Sequence, residues 1–168
     1  SYHMVFSTSC NDQQNWESYV FFYHAHKVRQ PGTVTRIAPG CSLEQQQELT
    51  RFHEDHIVAT MMNPNFRIHF TPDYSLLNSD HGGGSYRKSK PYKYMNKPFG
   101  LRHWMEHGLG LLDNNKNGRN DSAASSSIWD DDDIVMLMDP DMILLQPIVH
   151  DYRRNDAEDE VIMWVEDN

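Results

Sequence analysis

Two aspartates, Asp139 and Asp141, interrupt residues 134–148 (IVMLMDPDMILLQPI), a run otherwise almost wholly apolar. An unpaired buried carboxylate is costly enough that a chain tolerates it only where the charge meets a proton, a partner or a metal. The run therefore predicts a neutralising group at this point. IVMLM lacks polar alternation and reads as a central strand covered on both faces, ended by Pro140 because a central strand needs its ladder N–H. Asp139 and Asp141 would then emerge at the strand's C-terminal end, the edge where open α/β sheets bind ligands. In extended chain, their Cα atoms would lie roughly 6.6 Å apart with the side chains on one side. One carboxylate could hold a divalent cation directly, while the other reaches it through water or holds another part of the ligand. Such oxygen donors select Mg2+ or Mn2+, which typically arrive with a substrate's phosphates. MILLQPI reads as an apolar strand resuming after the bend.

A second chemical group lies in YKYMNKPFGLRHWMEHG, residues 92–108. Asn96 can cap a helix whose first turn contains Pro98, where a missing N–H costs nothing. Lys97 adds a cation to the free N–H groups of that first turn, an arrangement suited to an anion such as a diphosphate. Leu101, Trp104 and Met105 would face the core, and Gly108 would stop the helix. Residues 86–102 hold six of the fifteen Lys and Arg and no acid. Composition makes Arg87, Lys88 and Lys90 a solvated basic loop. The run Asp130 to Asp133 reads as solvated too, since consecutive like charges repel and seek water. His24 with His26, and His53 with His56, lack the i, i+4 spacing of paired metal ligands, so the histidines are assigned to surface or core.

The elements that must position these groups alternate between strand and helix, the pattern of an α/β domain with a mostly parallel sheet and helices on both faces. HMVFSTS reads as a first strand. Asp12 can cap a helix over about residues 13–28, with Trp16, Tyr19, Val20 and Tyr23 as its core stripe. Pro31-Gly32 turns the chain into TVTRIA, Ser42 and Gln45 form a capping box opening a short helix to about Phe52, and FRIHF gives a third strand. SDHGGGSYRKSK and DNNKNGRNDSAASSS read as exposed loops. Cys10 and Cys41 each close a strand; parallel neighbours would bring them to one sheet edge, where free thiols and a disulfide are both open readings.

The chain has 168 residues and 38% hydrophobic content, which suits one folded domain. Its formal charge of −9 is local in origin, with Asp130 to Asp133 contributing four negative charges and residues 151–168 five. An acidic chain without a basic stripe gives no electrostatic footprint for duplex nucleic acid. Its longest aliphatic run falls far short of a membrane span, and its first residues lack the layout of a signal peptide. An anchor, if one is used, would lie outside residues 1–168. Asn120-Asp121-Ser122 is a glycosylation sequon of little weight.

HMVFSTSC, QPGTVTRIAPGC, YMNKPFGLRHWM and VMLMDPDMILLQPI, 46 residues in all, resemble blocks of the peptidyl serine α-galactosyltransferases and, more distantly, the hydroxyproline O-arabinosyltransferases of plants and algae. The resemblance implies a GT-A nucleotide-sugar fold in the Golgi or endoplasmic reticulum lumen. It also implies a UDP-sugar donor, Mn2+ or Mg2+, and a hydroxyproline-rich or serine-containing protein acceptor. Asp139 and Asp141 match the metal-binding Asp-x-Asp motif, Asn96-Lys97-Pro98 matches the block opening the preceding helix, and Ser7, Thr8 and Ser9 would lie near the nucleotide. Asp-Pro-Asp stands between the patterns of the two branches, which leaves the sugar open. A GT-A enzyme draws its acceptor site and a further metal ligand from sequence after the Asp-x-Asp strand, and only 27 residues follow Asp141, so the chain is expected to be an N-terminal fragment. Two other readings stand beside transfer. One is a haloacid dehalogenase-like phosphohydrolase with Asp139 as nucleophile and Asp141 as acid; the other is a noncatalytic module that binds a sugar nucleotide.

Overall fold

The computed structural model describes residues 1–75, 92–109 and 132–149. The chain runs β1 (Tyr2–Ser7), α1 (Asp12–Lys27), β2 (Thr33–Pro39), α2 (Leu43–His53). A π-helical turn, Glu54–Val58, and one further α turn, α3 (Ala59–Met61), carry the second helix on to β3 (Phe66–Thr71). A 3-10 turn at Lys93–Met95 leads into α4 (Asn96–His103), which a π turn extends through Trp104–Gly108, and β4 is Ile134–Met138. The four strands form one parallel sheet in the order β3-β2-β1-β4. All strands therefore end at the same edge, which collects the segments after Ser7, Pro39, Thr71 and Met138.

Alternation along the strands splits the core in two. Met4, Phe6 and Val34 pack with Phe21, Phe22 and Ala25 of α1 and with Ile57 and Met61, while Val5 and Ile37 pack with Trp104 and Leu109 on the other face. Helices thus cover both faces of an α/β sheet, as the alternating pattern predicts. Leu101 and Met105 join Trp104 against the second face, also as predicted. Gly100 allows that approach, because a Cβ there would lie 3.1 Å from Ile37 Cγ2.

Several local expectations give way. Among the described residues β4 is an end strand with partly exposed side chains, and β1 and β2 are the covered ones. IVMLM is apolar without being central. Asn11, and not Asp12, caps α1 by accepting from Gln14 N. The helix buries Ser18, Phe21, Phe22 and Ala25, leaving Trp16 65% and Tyr23 46% exposed. Two stripes at helical spacing overlap here, and the phenyl rings take the core because they carry no hydroxyl to satisfy. Ser18 can join them because its hydroxyl donates back to the Gln14 carbonyl at 2.6 Å.

MILLQPI is not a strand. Its Leu144 is buried, but Met142, Ile143, Leu145 and Ile148 are exposed, and the Gln30 side chain takes the place of a strand partner. Gln30 Nε2 donates to the Ile148 carbonyl at 2.9 Å, and Ile148 N donates to Gln30 Oε1 at 2.8 Å. Asp133 also departs from the solvated reading of the acidic run: its side chain is 1% exposed and accepts from the amino terminus, with His3 Nε2 at 3.4 Å. Asp132 is exposed. The loops 79–90 and 113–127, Arg87, Lys88, Lys90, the sequon at Asn120, Asp130, Asp131 and residues 151–168 lie outside the described residues.

Candidate functional site

Ser7, Thr8 and Ser9 follow β1 over a buried cation. Arg36, fully buried in β2, donates from Nε to Thr8 Oγ1 at 2.7 Å, and from Nη2 to the Ser9 carbonyl at 3.2 Å and Asn15 Oδ1 at 2.8 Å. Burial pushes its guanidinium down to about 10, and among the described residues it has no carboxylate partner and Nη1 has no hydrogen-bond partner. Thr8 is therefore buried and committed to Arg36, Ser7 is half-buried, and Ser9 reaches the rim. The Gln14 side chain accepts from Ser9 N. Arg36 was legible in the same way as Asp139, as a charge inside the apolar strand TVTRIA.

Cys10 and Cys41 form a disulfide with Cα atoms 5.6 Å apart. It joins the segment after β1 to the segment after β2, the meeting that parallel neighbouring strands predict. Ser42 and Gln45 form the predicted capping box immediately beyond, and Gln45 Nε2 also donates to the Cys10 carbonyl at 3.2 Å. Gly40 precedes the bridge at φ +70°, and a Cβ there would come 2.9 Å from the Asp73 Cβ. Only glycine combines that conformation with that approach.

Beside the bridge an open cleft of about 360 Å³ lies between Ser9, Asn11, Gly40, Gln45, Asp73 and Asn96. Asn96 does not cap α4. Its Oδ1 accepts from Tyr74 N at 2.6 Å and its Nδ2 donates to Asp73 Oδ1 at 3.1 Å, so it ties the helix start to the segment after β3. Asp73 also accepts from Ser75 N at 2.9 Å, and these donors hold its carboxyl below the ordinary range. Sequence reasoning had no signal for Asp73, because an Asp after Pro in a turn is commonplace.

Lys97, the next residue, turns to the other side of the helix start and pairs with Asp139 Oδ1. The apolar run predicted such a group for Asp139 and Asp141 alike, and among the described residues an ion pair forms at Asp139 alone. Both side chains are open to solvent, 35% exposed for Lys97 and 52% for Asp139. The burial premise therefore fails, and Asp141 is exposed as well. The extended-chain geometry fails with it, because Met142 N donates to the Asp139 carbonyl at 3.2 Å and closes a turn over Pro140 and Asp141. Asp at the first position and Pro at the second are residues that such a turn favours. Pro140 does end β4 as predicted.

The candidates thus separate into two groups on one rim. Ser9 and Asn96 line the cleft beside the disulfide, whereas Lys97, Asp139 and Asp141 stand at the end of β4. Consecutive residues at the start of α4 join the groups. Among the described residues no three His, Cys, Asp or Glu side chains are grouped to hold a metal ion. Two carboxylates remain, a set that suits Mg2+ or Mn2+ when phosphate oxygens and water complete the shell. One of them, Asp139, is paired with the Lys97 ammonium.

Away from the rim, His69 Nε2 lies 2.9 Å from His103 Nδ1, and the His107 ring is 4.3 Å from that of His103. Burial first, then the two neighbouring imidazoles, push His69 down to about 4. His103 and His107 have the i, i+4 spacing that the other histidine pairs lack, a pattern visible in RHWMEHG.

Comparison with family models, with curated protein sequences and with solved structures gives no match for this chain.

Proposed function

We propose that the chain is the nucleotide-sugar-binding part of a metal-dependent glycosyltransferase of GT-A type. It would move a sugar from a UDP-sugar to a serine or hydroxyproline hydroxyl of a protein. The observation that carries this reading is the Asp139-Pro140-Asp141 turn at the C-terminal end of β4, with the Lys97 ammonium on Asp139 at the start of a helix. The strand order supports it, since every strand of the parallel sheet delivers its following segment to that rim.

Asp139 and Asp141 would hold Mn2+ or Mg2+, which when bound stabilises charge on a departing diphosphate. Lys97 presents positive charge to the same anion. Ser9 and Asn96 line the neighbouring cleft, which receives the nucleoside end of the donor. Arg36 holds the loop above it without reaching the ligand. The Cys10–Cys41 bridge supports an oxidising compartment such as the Golgi or endoplasmic reticulum lumen. Among the described residues no helix is long and apolar enough to cross a membrane.

The phosphohydrolase reading has less support, because its nucleophile opens the domain while Asp139 follows the fourth of the described strands in chain order. A noncatalytic module would bind UDP without turnover. Calorimetry with a UDP-sugar and Mn2+ tests the central assignment. Asp141→Ala is expected to abolish metal-dependent binding, and retained binding in that variant removes the assignment.

A further inference from the structure

The geometry points to a Zn2+ site made by His69, His103 and His107, which ties β3 to the far end of α4. It stands independently of the glycosyltransferase reading, because its ligands are imidazoles and not the carboxylates beyond β4. Imidazole nitrogen suits Zn2+, whereas carboxylate and water suit Mn2+ or Mg2+. Three elements bring the rings together. His69 pairs with Ile37 of β2 in the sheet register, on the face where Ile37 meets Trp104. Gly108 leaves room for its ring, since a Cβ there would lie 3.4 Å from His69 Nδ1. His103 ends α4 and His107 falls in the π turn that follows, which sets their ring centres 4.3 Å apart.

His69 Nε2 and His103 Nδ1 lie 2.9 Å apart and share one hydrogen. When that hydrogen moves to the other nitrogen of its own ring, both facing nitrogens present lone pairs, and no proton is released. Two imidazoles on a tetrahedral Zn2+, with bonds of about 2.0 to 2.1 Å, hold their nitrogens roughly 3.3 Å apart. The pair therefore opens by only about 0.4 Å, each ring turning its lone pair toward the ion. His69 is anchored in its strand; His103 is half-buried and His107 exposed, so the outer rings make the adjustment. His107 joins as third donor by rotation of its side chain, which is why no three donors are already grouped among the described residues. Water takes the fourth position. The neighbouring Arg102 is paired with Glu106 at 2.7 Å, which offsets its repulsion of the ion. Coordinate bonds then replace a single hydrogen bond between β3 and the helix that carries Asn96 and Lys97.

The test is Zn2+ titration of the metal-free 168-residue chain against a chromophoric chelator at pH 7, with hydrogen exchange followed in parallel. Wild type is expected to bind Zn2+ and to gain protection in β3 and α4. His103→Ala and His107→Ala should each bind Zn2+ at least about tenfold more weakly, the cost already typical of losing a partner one shell further out. His107 is exposed, so its variant keeps the fold, and circular dichroism before metal addition checks both. His26→Ala, on the exposed side of α1, and Asp141→Ala should bind Zn2+ as wild type does. Wild type that gains no protection in β3 and α4 overturns the site, and so do histidine variants with unchanged affinity. A loss confined to one of the two variants overturns the three-imidazole arrangement. A loss in Asp141→Ala instead places the ion on the carboxylates beyond β4, which also overturns the histidine site while leaving the transferase reading standing.

Discussion

Around Ser9 the sheet rim is held by a disulfide, a buried arginine bound to Thr8, Ser9 and Asn15, and a capping box. Around Asp139, after the neighbouring strand on the same rim, one ion pair between partly exposed side chains links the end of β4 to α4. The difference is one of chemistry. The segment after β1 is fixed by a covalent bond and by hydrogen bonds from a buried guanidinium. Asp139 is held by a contact that water and ions weaken. Both lie at the ends of parallel strands, so topology supplies the place and local chemistry sets the rigidity.

Removing the bridge breaks the comparison most severely. The Cys10→Ser, Cys41→Ser double variant should lose roughly 3 to 4 kcal/mol, the loop-entropy value for cysteines 31 residues apart. Denaturant unfolding measures this, with urea midpoints compared at constant slope. Mn2+ binding at the other half should survive wherever the variant remains folded. A loss well under 1 kcal/mol would place the rigidity of that half in Arg36 and the capping box instead.

Acidification should act next, and mainly on the α4 side. His69 of β3 is hydrogen-bonded to His103 of α4, the tilted His107 ring lies 4.3 Å from that of His103, and Tyr74, Arg102 and Glu106 are the other titratable groups around them. Burial and mutual repulsion lower His69 to about 4, and both His103 and His53 are lowered as well, burial being the main cause. The unfolded chain therefore takes up protons first. Stability contributed by the neutral imidazoles is present above about pH 6.5 and is lost as pH falls toward 4, by roughly 1 to 2 kcal/mol after allowing for solvent screening. Hydrogen exchange at pH 7 and pH 5 checks the location, with α4 amides losing protection before those of β2. Uniform loss would assign the effect to His53, whose Nε2 bonds the Phe66 carbonyl beneath α2.

How much of this was legible follows from which interactions are local. The strand limits, the Ser42 cap, Pro98 in the first turn and the meeting of Cys10 with Cys41 all depend on short-range rules or on parallel neighbours. Which stripe of α1 is buried was not legible, because Trp16 with Tyr19 and Ser18 with Phe22 obey the same period and the sheet decides between them. MILLQPI has the composition of a strand, but a strand exists only with a partner, and Gln30 supplies a side-chain amide instead. At the site, the apolar run led to a counter-charge for both aspartates through a premise of burial that was wrong, and Lys97 pairs with Asp139 across an exposed surface. Hydrophobic neighbours in sequence do not bury a residue placed in a turn beyond an end strand. Asp73 and the role of Asn96 depend on contacts 22 and 23 residues apart, which no spacing rule anticipates.

The smallest expected effect sharpens the comparison furthest. Lys97→Met should change folding stability by under about 0.5 kcal/mol, the range of surface substitutions that break an exposed pair. Methionine retains much of the lysine stem's packing, so the measured change reports the charge. The contrast with the bridge then becomes quantitative, with two contacts on one rim differing several-fold in what their loss costs the fold. A stability loss above about 2 kcal/mol, in the range of a broken buried pair, would make Lys97–Asp139 structural. The β4 half of the rim would then be as rigid as the half beside the disulfide.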